Sequence, residues 1–313
     1  MSLRPRLTIA LALAAALLTE PTLAAPGALL DPGALGADAE HDLRRRVRAA
    51  KRDDVHSFER LAAARRRVVW LDDHKRGPIA PVAPLLKAMG PRALLPMLER
   101  VALDAEPQGT LSSSAWLAWR LGLVEAVGAL RDPRAEPVLL ALVETPPAEP
   151  KLHRAAAVAF AKLSTRPVAR RLIRHARRDA PARRIALAAL GHCRVDEAAR
   201  FLADELGNAP AGRDAPVLAR ALGDVGSDWA WQSPALASRE DRLVVRATAA
   251  RALVGSFATA GDRARRMITK AVLVVNHPDT PAMLRDAQRE ATPEGRAALD
   301  RLRQRFERSP LRR

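Results

Sequence analysis

The sequence is poor in cysteine, which forms the disulfide bonds of small secreted domains, and in the aromatic residues that fill a large central core. Its 313 residues include one cysteine, no tyrosine and only 3% aromatic residues. A single cysteine, Cys193, excludes disulfide bonds within the chain, and we expect it to be a small buried side chain. Alanine and leucine must therefore supply the interior, which favours closely packed helices over one large core.

The sequence also lacks an apolar run long enough to cross a membrane. The run from Leu7 to Leu18 falls short of the roughly 20 residues that a spanning helix requires. It follows a short basic start and precedes the small residues of "TEPTLAAPG", which is the pattern of a secretory signal with cleavage after Ala24 or Ala25. We therefore predict a signal peptide over residues 1–25 and an exported protein, periplasmic or secreted. An uncleaved N-terminal anchor is the alternative.

What the chain does contain is a helical repeat. The stretch "LVEAVGALRDPRAEPVLLALVE", Leu123 to Glu144, has apolar residues every three or four positions in both halves, which predicts two helices with one buried face each. Between them, Asp132 can accept hydrogen bonds from the first N–H groups of a new helix, and Pro133 fits its first turn. A hairpin of this size buries too little surface alone, so it requires neighbours.

The pattern recurs along the chain. Small or apolar residues mark equivalent positions in the predicted first helices at intervals of 30 to 33 residues. An earlier, degenerate copy runs from Leu85 to Val101, where Met89-Gly90 stands just before a proline-led helix. We call these equivalent positions the repeat frame, and we predict that they are Gly128, Ala161, Gly191, Gly223 and Val254.

This unit resembles the HEAT repeat, in particular the short HEAT-like, armadillo-type subtype with units of the form "ALGxLxDPRAVPxLxxxL"; the best match is "AVGALRDPRAEPVLLALV". The resemblance covers residues 78–278. It implies an all-α, right-handed α-solenoid of about five HEAT-like helical hairpins. Around this solenoid we predict a flexible leader over 26–40, a basic helical cap or arm over 41–77 and a basic helical cap over 279–313.

The chain is strongly basic, with a formal net charge of +17. In "RPVARRLIRHARR", four arginines are expected on one helix face, where they could bind carboxylates or phosphates bidentately. The alternative is that they form a solvated face that reflects an arginine-rich composition. The neighbouring second helices carry acidic residues, whereas a phosphate-tracking groove needs one sign of charge across units, which argues against nucleic acid. The candidate partner-binding arginines are Arg170, Arg174, Arg177 and Arg178.

A second candidate lies in "GDVGSDWAWQSPALASRED", where we expect a break in the repeat instead of a regular second helix. Trp229 and Trp231 stand two positions apart, so one helix cannot bury both in the same stripe. One is expected to pack and the other to reach solvent or a partner, where tryptophan is an effective anchor. The alternative is that a short, distorted helix buries both tryptophans in a part of the helical stack that has few other side chains.

The sequence offers little for catalysis. HEAT-like proteins include a metal-dependent hydroxylase with His-Glu iron ligands and bilin lyases. None of the seven histidines here precedes a glutamate and nothing marks a bilin site, so the resemblance does not imply either activity. In "WLDDHK", Asp72, Asp73 and His74 converge on a metal only if the segment is a loop. His153, His175 and His192 lie in consecutive repeats and are the remaining candidates for a polar site. We predict no catalytic residue, no metal site and no cofactor.

Together these patterns predict an exported HEAT-repeat scaffold that binds a protein or an acidic envelope polymer through its curved surface. Two other functions stay open: a nucleic-acid-binding protein if the signal is not used, and a metal-dependent enzyme if the histidines meet in a groove.

Overall fold

The computed structural model describes residues 29–31, 33–104, 107–178, 182–233, 236 and 240–310. Within these ranges the chain is all-α, as predicted, and it contains no strand. Short 3-10 turns at Pro91–Ala93 and Pro133–Ala135 lead into two of the helices. The α-helices are α1 (Ala37–Asp53), α2 (Val55–Arg66), α3 (Val68–Asp73), α4 (Val82–Lys87), α5 (Leu94–Ala102), α6 (Ser113–Leu130), α7 (Glu136–Glu144), α8 (Pro150–Lys162), α9 (Arg166–Ala176), α10 (Ala182–Leu190), α11 (Asp196–Asn208), α12 (Ala215–Gly226), α13 (Asp228–Trp231), α14 (Arg242–Phe257), α15 (Asp262–Val275), α16 (Thr280–Glu290) and α17 (Pro293–Glu307).

Polar side chains mark the beginnings of two helices. The Ser112 hydroxyl accepts a hydrogen bond from the Ala115 N–H at 3.0 Å and caps α6. At the corner of the best-preserved repeat, the Asp132 carboxylate accepts from the Arg134 N–H at 2.9 Å. These bonds satisfy N–H groups that have no partner inside the helix, so they fix where each helix begins.

From α4 onwards the helices alternate between two rows. In the first row α4, α6, α8, α10, α12 and α15 pack each against the next. In the second row α9, α11, α14 and α16 do the same, and α9, α11 and α14 each also pack against the first-row helix that follows in the chain. This is the HEAT-like helical repeat fold, and each element buries its apolar stripe only because its neighbours in the stack cover it.

The small residues of the repeat frame are the points where first-row helices touch. A Cβ atom on Gly128 of α6 would stand 2.5 Å from the Ala159 Cα of α8. A Cβ on Gly191, the residue that follows α10, would stand 2.8 Å from the Ala221 Cα of α12. Since real Cβ atoms do not approach other atoms so closely, the frame positions are small because backbones meet there.

One frame position was predicted wrongly. A Cβ on Gly223 would meet Ala271 of α15 at 2.9 Å, and α12 packs against α15 along its length. Val254 lies in α14, which packs against α11 and therefore belongs to the second row. Gly128 contacts Ala159, two residues before the frame residue Ala161, and Gly191 contacts Ala221, two residues before Gly223. Gly223 contacts Ala271, and the same offset makes Leu273 the fifth frame residue. The tryptophan segment is an insertion before the second helix of its unit.

The N-terminal helices cap the stack. α1 and α2 pack against α5, and α3 packs against α6, so residues 41–77 lie against the first hairpins. Part of the predicted leader is also packed, because Leu29 and Leu30 are buried and the Leu29 N–H donates to the Val101 carbonyl at 3.2 Å. Helix α1 begins at Ala37, inside the predicted leader. The predicted signal, residues 1–25, lies outside the described residues.

Of the residues predicted as a C-terminal cap, Thr280–Glu290 continue the second row as α16, and α17 follows them. Thr292 caps α17 by accepting from the Gly295 N–H at 3.2 Å, and Ala298, Leu302 and Phe306 are buried. Within the part of the chain that the structure describes, every helix falls short of the length and apolar character that a membrane crossing requires.

Candidate functional site

The four candidate arginines lie at the exposed surface of α9 and just beyond its end. Arg170 and Arg174 are in the helix, whereas the helix ends at Ala176 and Arg177 forms its C-cap. Thr165 caps the other end, and Val168, Leu172 and Ile173 bury the opposite face. The arginine face is therefore fixed in place by the apolar face beneath it.

A groove runs between α9 and α11, which we call the α9–α11 groove. It has a volume of about 630 Å³. Arg170, Arg174 and Arg177 line one wall, and Phe201 lies on the other with the Arg177 guanidinium 5.9 Å from its ring centroid. Arg178 is not among the residues that line it. The opposite wall adds the charged residues Asp196, Glu197, Arg200 and Asp204.

The arginines of this groove differ in what they already bind. The Arg170 Nε atom donates to Glu197 at 3.1 Å across the groove, so its charge is largely neutralised. Arg174, Arg177 and Arg178 are exposed and have no ion pair with any described residue. These three guanidinium groups are the ones that remain able to bind an acidic partner.

The two tryptophans occupy opposite environments, as expected if one packs and the other reaches solvent. Trp231 is fully buried, and its Nε1–H donates to the Val225 carbonyl at 2.7 Å. Trp229 is 82% exposed. Helix α13 packs against α15, whereas α9 packs against α8, α10 and α11, so the structure does not bring the tryptophans and the arginines into one site.

A charged cluster that the sequence analysis missed lies at the C-terminal ends of first-row helices. The Arg131 guanidinium donates to the Lys162 carbonyl and, at 3.2 Å, to the Ser164 hydroxyl. The Arg194 guanidinium donates to the His192 and Asp224 carbonyls, both at 3.2 Å. We call Arg131, Lys162, His192 and Arg194 the first-row cation cluster.

The cation cluster perturbs the titration of its own members. Burial lowers the pKa of His192 to about 4, and the charges of Lys162 and Arg194 act in the same direction. Burial also lowers the pKa of Lys162 and brings that of Arg194 to about 10. Burial raises the pKa of the nearby carboxyl groups of Glu125 and Asp224. Perturbed titratable groups of this kind mark functional sites as well as structural networks.

One signal in the sequence could have indicated this cluster. Arg131, Ser164 and Arg194 each stand three residues after the frame positions Gly128, Ala161 and Gly191. Arg131 and Ser164 both have φ of 54°, the left-handed conformation that ends a helix. Polar side chains at this position can reach the last carbonyl groups of the next first-row helix. A polar residue that recurs three positions after these frame residues therefore indicates this role.

The histidines do not assemble into a metal site. Among the described residues there is no group of three or more histidine, cysteine or acidic side chains that could hold a metal ion. The Asp72 carboxylate is used in packing, since it accepts from the Ser114 hydroxyl at 2.8 Å and from Lys75 Nζ at 2.7 Å. His74 follows helix α3 and stacks on Trp70 with ring centroids 4.6 Å apart. Cys193 is buried, as expected.

No protein-family model matches this sequence, and no curated protein matches it. Among solved structures, the chain is similar to human deoxyhypusine hydroxylase in complex with glycerol. The identity is 14%, the alignment covers 82% of this chain and 98% of that one, and the TM-score is 0.28.

Proposed function

We propose that this chain is an exported binding scaffold without catalytic activity, and that it binds an acidic protein surface at α9 and α11. The observation that carries the proposal is the set of three exposed arginines, Arg174, Arg177 and Arg178, which have no acidic partner among the described residues. They project from a stack of packed helices, so little conformational entropy of the backbone is lost on binding.

The charges around these arginines favour a protein partner over a uniform polyanion. The opposite wall of the α9–α11 groove carries Asp196, Glu197 and Asp204, which would repel a phosphate backbone laid along the groove. A protein segment can place carboxylates against Arg174 and Arg177 while leaving these acidic groups in water or pairing them with its own basic side chains.

Capture from cell fractions tests the proposal. The mature chain, immobilised, is exposed separately to envelope and cytoplasmic extracts and then eluted with rising salt, with and without nuclease treatment. We expect an envelope protein that salt releases and nuclease does not affect, because exposed charge pairs are screened by salt. Retention of nucleic acid alone would contradict the proposal.

Export is tested separately by cell fractionation and N-terminal sequencing. We expect the protein in the envelope or the medium, with a mature N-terminus after Ala24 or Ala25, because these positions follow the basic start and the apolar run from Leu7 to Leu18. An intact chain found in the cytoplasm would contradict export and would leave the binding proposal to be judged on the capture experiment.

A further inference from the structure

A second concave surface lies in the first row, away from the α9 arginines. It is a trough of about 660 Å³ whose floor is α6 and whose walls are formed by α4 and α8, and we call it the α6 trough. Leu121, Glu125 and Ala129, four residues apart on α6, form its axis. At 1.5 Å per residue this stripe is about 12 Å long, which matches two or more turns of a bound helix.

The helices that form the walls pack close to α6. A Cβ atom on Gly122 would stand 2.6 Å from Val82 Cγ1 of α4, and one on Gly128 would stand 2.5 Å from Ala159 of α8. Ala126 and Ala129 add only methyl groups to the floor. The lining contributed by α6 is apolar except for Glu125, which is exposed between Leu121 and Ala129.

The walls of the trough are basic. Lys87 lies on the α4 side, and Lys151, Arg154 and Lys162 lie along α8. None of these four cations has an ion pair with a described residue. Glu125 is the single acidic residue in the lining, which therefore carries a formal charge of +3. An occupant that carries carboxylates along its edges would be attracted from both sides.

One end of the trough runs into the first-row cation cluster at Lys162. The Lys162 side chain is half-buried, and its amino group has no hydrogen bond to any described residue. Burial lowers the pKa of Lys162, Arg131 and Arg194 act in the same direction and Glu125 opposes them, so a further carboxylate beside the amino group would favour its charged form. This end is therefore the best place for an acidic group of the ligand.

We infer that the α6 trough is a docking site for an acidic amphipathic helix of a partner protein. The apolar face of that helix would lie on Ala83, Ala129 and Val158, which are partly exposed, and its acidic edges would face Lys87 on one side and Lys151 and Arg154 on the other. This mode of recognition uses an apolar face for affinity and flanking charge for orientation. The inference does not depend on the proposed function of α9.

The experiment measures binding of a labelled synthetic helix to the full purified chain by fluorescence anisotropy. The probe is an amphipathic peptide of about 18 residues, long enough to be partly helical, with leucine on one face and glutamate on both edges. Two matched peptides share its length: one has the same residues in scrambled order, and the other has lysine in place of glutamate. Dodecanoate is tested as a small anionic competitor.

Two triple variants with the same change in net charge are compared. Lys87→Glu, Lys151→Glu and Arg154→Glu reverse the trough walls at exposed positions. Arg213→Glu, Arg285→Glu and Arg296→Glu reverse three exposed arginines elsewhere that have no ion pair with a described residue. Circular dichroism checks that both variants keep the helical content of the original chain.

We expect the acidic amphipathic peptide to bind, the trough variant to bind it about tenfold or more weakly, and the control variant to bind it as the original chain does. Equal binding of the scrambled peptide would show plain charge attraction and would overturn the inference. So would equal weakening by both variants, preferential binding of the lysine peptide, or displacement of the peptide by dodecanoate at lower concentration than by unlabelled peptide. Loss of binding only when the α9 arginines are reversed would also overturn it, while leaving the proposed function in place.

Discussion

Gly128 of α6 and Ala159 of α8 are in backbone contact, since a Cβ atom on Gly128 would lie 2.5 Å from the Ala159 Cα and Cβ atoms. The same relationship between Gly191 and Ala221 joins α10 to α12. These contacts set the spacing of the first row, and they explain why Gly128 and Gly191 are small residues.

Replacing Gly128 by alanine should therefore destabilise the fold. We expect Gly128→Ala to lower the free energy of unfolding by about 1–3 kcal/mol, because a backbone atom cannot move aside as the end of a flexible side chain can. Gly255 in α14 is the matched control, since a Cβ there meets no heavy atom within 4 Å. Gly255→Ala should leave stability unchanged or raise it by about 0.5–1 kcal/mol through helix propensity. Urea unfolding measures both, and equal stabilities would contradict the packing account.

The two tryptophans of α13 should respond oppositely to truncation. Trp231→Ala removes a fully buried side chain and its hydrogen bond to Val225, and should cost about 3–5 kcal/mol. Trp229→Ala should change the free energy of unfolding by no more than about 0.5 kcal/mol, because the side chain is 82% exposed. Thermal unfolding of both variants checks this, and a large loss of stability in Trp229→Ala would show that Trp229 packs against the fold.

The His192 imidazole should make stability depend on pH. Its pKa is about 4 in the folded chain, below the ordinary value of 6.5, so the unfolded chain takes up a proton that the folded chain does not. Stability should therefore fall as the pH is lowered from about 6.5 towards 4, with a slope of up to about 1.4 kcal/mol per pH unit from this group. In His192→Gln this contribution should disappear. The test is the difference between the two pH profiles of unfolding, and parallel profiles would refute the role of His192.

Much of the fold could be predicted from the sequence because the same short-range signals, helix caps and small contact residues, recur in several repeat units. Asp132, Ser112 and Thr292 cap helices for reasons that act within four residues, and Gly128 and Gly191 recur with their unit. Val254 was misassigned because its helix has the same small and apolar pattern as a first-row helix. Only the partners of α14 in the stack reveal its row, and these are not local.

The surfaces were less predictable, since they join residues from different units. The spacing of Arg170 and Arg174 indicated a shared face, but the pairing of Arg170 with Glu197 depends on how α11 packs beside α9. The cation cluster was missed for the same reason, because Arg194 meets the Asp224 carbonyl only when successive first-row helices stack.

We propose that Arg174, Arg177 and Arg178, which have no ion pair with a described residue, bind an acidic protein. Reversing Arg174, Arg177 and Arg178 to glutamate tests it most directly, with the triple variant of Arg213, Arg285 and Arg296 as a control of equal charge change. The readout is the amount of partner captured from an envelope extract at fixed salt, with circular dichroism to confirm unchanged helicity. The account predicts about tenfold or greater loss of capture by the α9 variant and none by the control. Equal capture by both variants would contradict it.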